Sequence, residues 1–490
     1  MKVLFFNYAN YLEIGIPGGI AILSALLKES GHQVRLFDTT FLKPAYYRRS
    51  QNAGPAVFKE TPYTLEDRVE DDPVVDLKEE FSNILKEFQP DLLAVSAMTT
   101  NFDKTLDLLK QVQPDCLVVM GGVHATLEPE EVLRSEVVDM VCIGEGEGAL
   151  VDLCNALDAG QETRNIPNLW LKRNGNLIQN TLRHFQNLDH IPVPDWSIFD
   201  QRHLFRPFEG KVYKGSFITN SRGCPERCTY CVNKVIRKTH RGCGSYFRRQ
   251  SPQKTINNIK TLKEEYGATW FKFADDTFLL HTHAELETLK DGLNDLSINF
   301  GCSVQPTTIN KEKVALAKKM GCVAMTVGIE SGNQEIRRKI LNRRISNQKL
   351  ENGIRTIIDA GIRVSTFNMI GLPGETRENV FETIKFNKKL GIKAANVYII
   401  YPFPGTEIAE IHKTNYRDAD GKMISMGEAA RFNLSHMSPA ELEGLCKTFN
   451  LYLTLPETYW GQIKAAEGQD ERSQQIFQEL EVLANTFISS

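Results

Sequence analysis

Residues 221–234 read SRGCPERCTYCVNK, and three thiols, Cys224, Cys228 and Cys231, fall within them in the spacing C-x3-C-x2-C. Thiolates select zinc or iron–sulfur clusters. Structural zinc asks for four tetrahedral ligands, often as paired C-x2-C units. Cys243 offers a further thiol, but no second C-x2-C follows. A purely apolar packing role for all three is poorly served by their neighbours Arg222, Glu226, Arg227 and Lys234. A four-iron cubane normally takes four thiolates. Three thiolates leave one iron open to a substrate or cofactor, the same distinction that separates catalytic from structural metal sites.

The other seven cysteines (Cys116, Cys142, Cys154, Cys243, Cys302, Cys322 and Cys446) are scattered, most of them in or beside apolar runs where free cysteine packs as a small hydrophobe. A chain of 490 residues is too long for one core, so two or three domains are expected. The net charge of -3 gives no electrostatic case for nucleic acid or a membrane surface. No apolar run reaches the roughly 18 residues of a spanning helix, and MKVLFFNYANYLEIG lacks the basic start and long apolar stretch of a secretory leader. A cytoplasmic protein is the expectation.

Something must position the thiols. Residues 1–160 alternate short apolar runs with helical patterns: KVLFFNYA, HQVRLFDT, LLAVSAMTT, CLVVMGGVHAT and VDMVCIGEGE are strand candidates. Such runs indicate a parallel sheet covered on both faces, with ligands at the carboxyl ends of the strands. Those ends carry Asn7 to Asn10, Ser96 to Thr100, Gly121 to His124 and Gly144 to Glu147. Residues 41–75, with Tyr46, Tyr47, Pro55, Pro62 and Tyr63, show no period and suggest an insertion or lid. Residues 161–209 read as a linker containing a hairpin at Asn174-Gly175. From 210 to 415 six strand–helix units argue for a closed or partly closed barrel, and the thiols follow its first strand, where such barrels build active sites. Residues 416–490 are polar and expected to be helical.

With Tyr230 in the aromatic place of C-x3-C-x-aromatic-C and the barrel behind it, the chain resembles the radical S-adenosylmethionine (SAM) superfamily. The resemblance implies a 4Fe-4S cluster on Cys224, Cys228 and Cys231, with SAM chelating the open iron and being cleaved there to a 5′-deoxyadenosyl radical. FKFADDTF resembles the segment that meets the SAM amino group, with Asp275 and Asp276 in place of the commoner Gly-Gly-Glu, which leaves the role of each open. VGIESGNQEI implies contacts to SAM from Glu330 and Ser331, MIGLPGET an adenine-facing backbone at Gly371, and YPFPGTE a sixth strand end at Tyr401.

In combination with that barrel, the chain resembles the cobalamin-dependent radical SAM enzymes over about residues 1–410, with residues 1–160 in the place of their cobalamin-binding domain. By themselves those residues lack the G-x-G-x-x-G fingerprint of a dinucleotide site. The resemblance implies that Gly121 and Gly122 let backbone approach the cobalamin tail, that Ser96 and Thr99 meet it, and that Gly144, Glu145 and Glu147 close the last strand. D-x-H-x-x-G, whose histidine ligates cobalt in many cobalamin proteins, is missing, and His32 and His124 lie at other spacings. The expected architecture is therefore α/β: a Rossmann-like parallel-sheet cobalamin domain, a partial (β/α)6 TIM barrel and a C-terminal helical region.

The function this implies is methylation of an unactivated carbon, or of phosphorus, in a small molecule. A radical cyclase or rearrangement enzyme without methyl transfer, and a non-catalytic cobalamin or redox sensor, are the rivals. Residues 232–249 carry Lys234, Arg237, Lys238, Arg241, Arg248 and Arg249 and no acid. They suit either a solvated loop, a seat for an acidic electron donor such as flavodoxin, or a contact to a substrate anion.

Overall fold

The computed structural model describes residues 1–45, 72–173, 175–209, 211–393 and 395–489. Most of the expected lid, including Tyr46, Tyr47, Pro55 and Pro62, lies outside the described residues.

The N-terminal sheet contains β1 (Lys2–Asn7), β2 (Gln33–Asp38), β3 (Leu92–Ser96), β4 (Leu117–Gly121), β5 (Met140–Cys142), β6 (Leu169–Arg173) and β7 (Asn176–Gln179), in the order β2-β1-β3-β4-β5-β6-β7. The first five are parallel and the last two are an antiparallel hairpin. The hairpin expected inside a linker thus extends this sheet. Strand alternation sends Leu4, Phe6, Leu93, Val95, Val118 and Met120 to one face, under Phe81, Phe102 and Leu109. Val3, Phe5, Leu92, Ala94 and Val119 go to the other, under Ile20 and Leu27 of α1 (Gly18–Glu29) and Leu150 and Leu153 of α2 (Glu147–Asp158). Order 2-1-3-4-5 has its topological switch between β1 and β3, the place where doubly wound sheets bind ligands.

The second sheet is β8 (Phe217–Ile218), β9 (Trp270–Phe273), β10 (Asn299–Val304), β11 (Cys322–Glu330), β12 (Arg363–Ile370) and β13 (Ala395–Ile399), parallel and in sequence order. It is a six-stranded partial barrel. Its outward side chains, among them Phe271, Phe273, Phe300, Cys302, Met325 and Val327, are fully buried beneath the surrounding helices. Near the last strand, Asn450 of the C-terminal helix Pro439–Thr454 accepts from the Ala395 amide at 3.2 Å and donates to its carbonyl at 3.0 Å. This pairs polar backbone on an edge strand that would otherwise be a template for association.

The segment after β1 packs against the chain that leads into the barrel sheet. The Ile16 amide donates to Ser216 Oγ at 3.4 Å and the Gly15 amide to His203 Nδ1 at 3.2 Å. The C-terminal region reaches back as well, where the Met423 amide donates to Asp103 at 2.6 Å and Arg417 pairs with Glu131.

Gly122, just past β4, has φ +98°, and a Cβ there would lie 2.5 Å from the Ala97 carbonyl oxygen. Both the dihedral and the close approach demand glycine. Gly122→Ala should therefore destabilise the protein by about 1–3 kcal/mol, seen as a lower urea midpoint with an unchanged slope.

Candidate active site: a thiol loop facing a glycine-lined cavity

The loop carrying the thiols is held from several sides. Gly223 has φ +83°, and a Cβ there would sit 2.4 Å from the Tyr246 carbonyl oxygen. Thr229 donates through its hydroxyl to the Ile340 carbonyl at 2.6 Å, Asn342 donates to the Arg227 carbonyl at 3.0 Å, and Arg237 donates to that of Pro225 at 3.1 Å. Cys231 caps α3 (Val232–Thr239). Cys228 is buried, while Cys224 and Cys231 are half-buried.

Burial pushes the Cys224 thiol up to about 12 and that of Cys231 to about 11, and raises Cys228 as well. Negative charge on Cys231 and Cys228 would raise Cys224 further, so the three sulfurs share one locus. Left bare they stay protonated, and a metal group that takes them as thiolates must displace those protons. Among the described residues no three His, Cys, Asp or Glu side chains are spaced to hold a single ion. In a cubane each thiolate takes its own iron. Cys243 lies beyond α3, tied by its backbone to His240 and Phe185.

Around this loop the strand-end residues separate into those that face it and those that hold the frame. Glu330, at the end of β11, has φ +69°, an uncommon conformation for a residue with a Cβ. The β11–β12 register shifts between Gly328 and Glu330, and a Cβ at Gly328 would lie 2.5 Å from Glu330 Oε1. The carboxylate accepts from Arg343 at 3.2 Å, and Arg343 also donates to Tyr230 Oη at 3.1 Å and to the Gly328 carbonyl at 2.7 Å. Burial raises the Glu330 pKa and Arg343 opposes it. Arg343 links the thiol loop to β11, and the sequence reading missed it. Its position within NRRIS carries no motif, so only the fold brings it to Glu330.

The two aspartates part company. Asp275 is buried, its Oδ1 bonded to Ser221, and burial lifts its pKa to about 7. Asp276 is exposed, accepts from Asn233 at 2.8 Å, and is close enough to raise the pKa of Cys224 and Cys231. Ser331 is fully buried, its carbonyl accepting from buried Arg337 at 2.6 Å. Gly371 has φ +78° and donates its amide to Glu375 at 2.8 Å, which shapes the turn. Tyr401 donates to the Ile424 carbonyl at 2.9 Å and packs against Phe403 and Phe432. Asp276, Tyr230 and Glu330 therefore converge on the thiol loop. The Asp275, Ser331 and Tyr401 side chains are engaged in the frame behind it.

Across from the loop, at the β1/β3 switch, lies a cavity of about 360 Å³. Ser96, Gly121, Gly122 and Gly144 line it, with Phe5, Val119 and Leu150 as an apolar floor. From the barrel, Thr219 and Arg222 complete the wall. Thr99 is not part of it: its hydroxyl meets His124 Nδ1 at 3.3 Å. His124 is buried against Phe102, and His32 bonds to Asn155, so no histidine among the described residues lines the cavity. The volume suits a small-ligand portion, and the missing β-carbons leave backbone as much of its polar surface. Both features fit the tail of a buried cofactor.

Glu145 and Glu147 also line this cavity, but their carboxylates face arginines of the barrel. Arg222 donates to Glu147 at 2.5 Å and lies 3.3 Å from Glu145, which also pairs with Arg248. Burial opposes ionisation of Glu145, and Arg248 and Arg222 outweigh it, leaving its pKa below the usual range. These acids join the two sheets at the cavity mouth through Arg222, two positions before the first thiol.

Fold and site together define a class: an open-cluster SAM enzyme with a second cofactor domain set against its barrel. The radical SAM superfamily description matches residues 218–387 and the B12 binding domain description matches residues 62–154. The chain is 31% identical over 353 residues to the uncharacterised methyltransferase PH0819 of Pyrococcus horikoshii, covering 71% of this chain and 73% of that one. It is 25% identical to the anaerobic magnesium-protoporphyrin IX monomethyl ester cyclase of Rubrivivax gelatinosus, over 65% of this chain but 58% of the cyclase. Its fold matches the radical S-adenosylmethionine methyltransferase TsrM of Kitasatospora setae, a structure with cobalamin and a 4Fe-4S cluster bound, at a TM-score of 0.65 and 16% identity over 100% of both chains. The chain belongs to the cobalamin-dependent radical SAM enzymes, whose cofactors are a 4Fe-4S cluster, SAM and cobalamin.

No helix among the described residues is long and apolar enough to cross a membrane.

Arg222→Met would leave the largely buried Glu147 without its cation. Removing one partner of such a pair costs roughly 2–4 kcal/mol, so the thermal midpoint should fall markedly. Arg222→Lys, which keeps the charge but not the fork, should recover part of the loss.

Proposed function

We propose that the chain transfers a methyl group to an unactivated carbon, or to phosphorus, of a small molecule. The observation that carries this reading is Arg222: it lines the cavity of the N-terminal domain, and the first thiol follows two residues later. The two cofactor sites are therefore neighbours. When bound, the cluster supplies reductive cleavage of SAM and cobalamin supplies the methyl group.

The chain's own residues position and shield. Cys224, Cys228 and Cys231 hold the cluster. Tyr230, Asp276 and Glu330 surround the SAM site, with Arg343 neutralising Glu330. The Gly371 turn presents backbone to the adenine. Ser96, Gly121, Gly122 and Gly144 line the cobalamin tail's path. Asp275, Ser331, Tyr401, Thr99, Glu145 and Glu147 act at one remove, by holding these groups in place. The kinship to PH0819, named a methyltransferase, supports this reading. The resemblance to the R. gelatinosus cyclase keeps a rearrangement without methyl transfer as the second reading.

Anaerobic reconstitution of wild type and Cys228→Ala tests it. Wild type should take up about four irons per chain, bind cobalamin, and yield 5′-deoxyadenosine and S-adenosylhomocysteine together with a methylated product. Cys228→Ala should bind cobalamin and cleave no SAM. 5′-Deoxyadenosine without S-adenosylhomocysteine would instead support rearrangement, and neither product would support a sensor.

An acidic electron donor such as flavodoxin is proposed to dock on α3. Of the basic residues there, Lys234, Arg248 and Arg249 are already paired with Glu407, Glu145 and Glu285. Lys238 and Arg241 are exposed. They and Arg237, which bonds only to a loop carbonyl, are left to form the docking patch. Charge reversal at Arg237 and Lys238 should slow cluster reduction, most strongly at low salt, with SAM affinity kept. Unchanged reduction with weakened substrate binding would assign the patch to the substrate.

A further inference from the structure

In a filled barrel, bulky branched side chains occupy the interior in layers. Here the pairing register shows another arrangement. Lys272 of β9 stands beside Gly301 of β10, which stands beside Ala324 of β11. One layer up, Ser303 stands beside Thr326, and Thr326 beside Ser365 of β12. Strand alternation puts all of these on the face opposite to Phe271, Phe273, Phe300 and Met325, which are fully buried against the helices. The inward set keeps accessible surface: Lys272, Ser303, Ala324 and Ser365 are each half-buried. Gly301, Ser303, Ala324, Thr326 and Ser365 keep this part of the wall small or hydroxylated, while Arg363 of β12 stands beside Ala324 and Trp270 lies one layer below Lys272.

Two cations interrupt that wall, Lys272 and Arg363, and Arg363 lies over the Phe208 ring. The Lys272 stem crosses the face left open by Gly301, where a Cβ would lie 3.6 Å from Lys272 Cδ. Among the described residues no acceptor or carboxylate bonds its ammonium group, whereas the hydroxyls of Thr326 and Ser365 bond each other at 2.9 Å. The inward carboxylate of β11, Glu330, is higher up and already held by Arg343. Burial draws the Lys272 pKa below its usual value, with only the Cys302 and Cys322 thiols acting in the other direction. A desolvated cation without a counter-charge is costly unless something else supplies that charge.

We propose that Lys272 is the seat of an anionic group on the substrate, a carboxylate or a phosphoryl or phosphonyl group, with Ser303, Thr326 and Ser365 as hydroxyl partners. The proposal rests on reading the barrel lumen as the reaction chamber. Lys272 precedes Asp276, which neighbours the thiols, by four residues on the same strand and its end. The anion therefore sits roughly 10–13 Å below the cluster loop, and the substrate carries it several bonds away from the atom that reacts.

The test uses the full chain, reconstituted anaerobically with cluster, cobalamin and SAM. A brief pulse of acetic anhydride labels accessible lysines, read by peptide mass spectrometry, in the presence of inorganic phosphate, malonate, or chloride at matched ionic strength. Labelling of Lys272 should fall about tenfold once the effective anion exceeds its dissociation constant about tenfold, while labelling of exposed Lys238 does not change. Protection by phosphate assigns a phosphoryl-type group, and protection by malonate a carboxylate. The protecting anion should also raise the thermal midpoint of wild type, in part that of Lys272→Arg, and not that of Lys272→Met. Without anion, Lys272→Met should melt no lower than wild type, because it removes an uncompensated charge.

No protection beyond chloride by either anion overturns the proposal, as does an undiminished anion-induced shift in Lys272→Met. If Lys272→Met does not fold, wild-type labelling decides alone. SAM cleavage and S-adenosylhomocysteine are measured on the same preparation. Failure to form S-adenosylhomocysteine counts against methyl transfer and leaves the anion seat standing. Unprotected Lys272 in a preparation that transfers methyl overturns the seat alone.

Discussion

One guanidinium ties the two halves of this protein together. Arg222 sits inside the mouth of the N-terminal cavity with Glu147 and Glu145 facing it, and Arg248 faces Glu145 as well. Taking such charges out of water is expensive, so each partner tolerates burial only with the other present. The consequence is geometric. The glycine-lined cavity belongs to one sheet and the thiol loop to the other, and only Gly223 separates Arg222 from Cys224. A rearrangement that moved the cavity away from the thiol loop would have to expose or strand buried charge.

A second constraint operates on the far side of the thiol loop. Glu330 adopts a left-handed conformation at a register shift, a costly backbone that persists where surrounding structure over-determines it. Arg343 provides that surrounding. It bonds the Glu330 carboxylate, the Tyr230 hydroxyl and the Gly328 carbonyl at once. Strain at the strand end and order in the thiol loop are thus coupled through one side chain. Beneath both, the inward barrel face carries Lys272, whose ammonium bonds no acceptor among the described residues.

Much of this was legible in the sequence because it is carried by local pattern. The thiol spacing, the apolar runs of the first sheet and the six strand–helix units depend on short-range periodicity, and each has its counterpart in the structure. The β6–β7 hairpin was visible at Asn174-Gly175, but its attachment to the first sheet was not, since a hairpin signal says nothing about which edge it joins. Other residues were grouped by proximity to a motif, and their side chains have partners that no local pattern announces. Glu145 and Glu147 meet barrel arginines, Thr99 meets His124, and Tyr401 packs under the C-terminal segment. Adjacent aspartates cannot be told apart in a string. Alternation along a strand end buries Asp275 on Ser221 and leaves Asp276 exposed beside the thiols.

By itself, then, the sequence determined the class of chemistry. Three thiolates in that spacing leave an iron open, and runs of that length and period fold as parallel sheets with their polar ends together. These properties follow from bonding preferences and periodicities that extend over only a few residues. The tertiary structure decided which carboxylates face the thiol loop and which face arginines, that Arg343 braces Glu330, and that Lys272 has no carboxylate partner among the described residues. Those outcomes depend on partners more than ten residues apart, from Glu147 against Arg222 to Gly301 beside Lys272, and burial and charge pairing across such separations exist only once the chain has closed on itself.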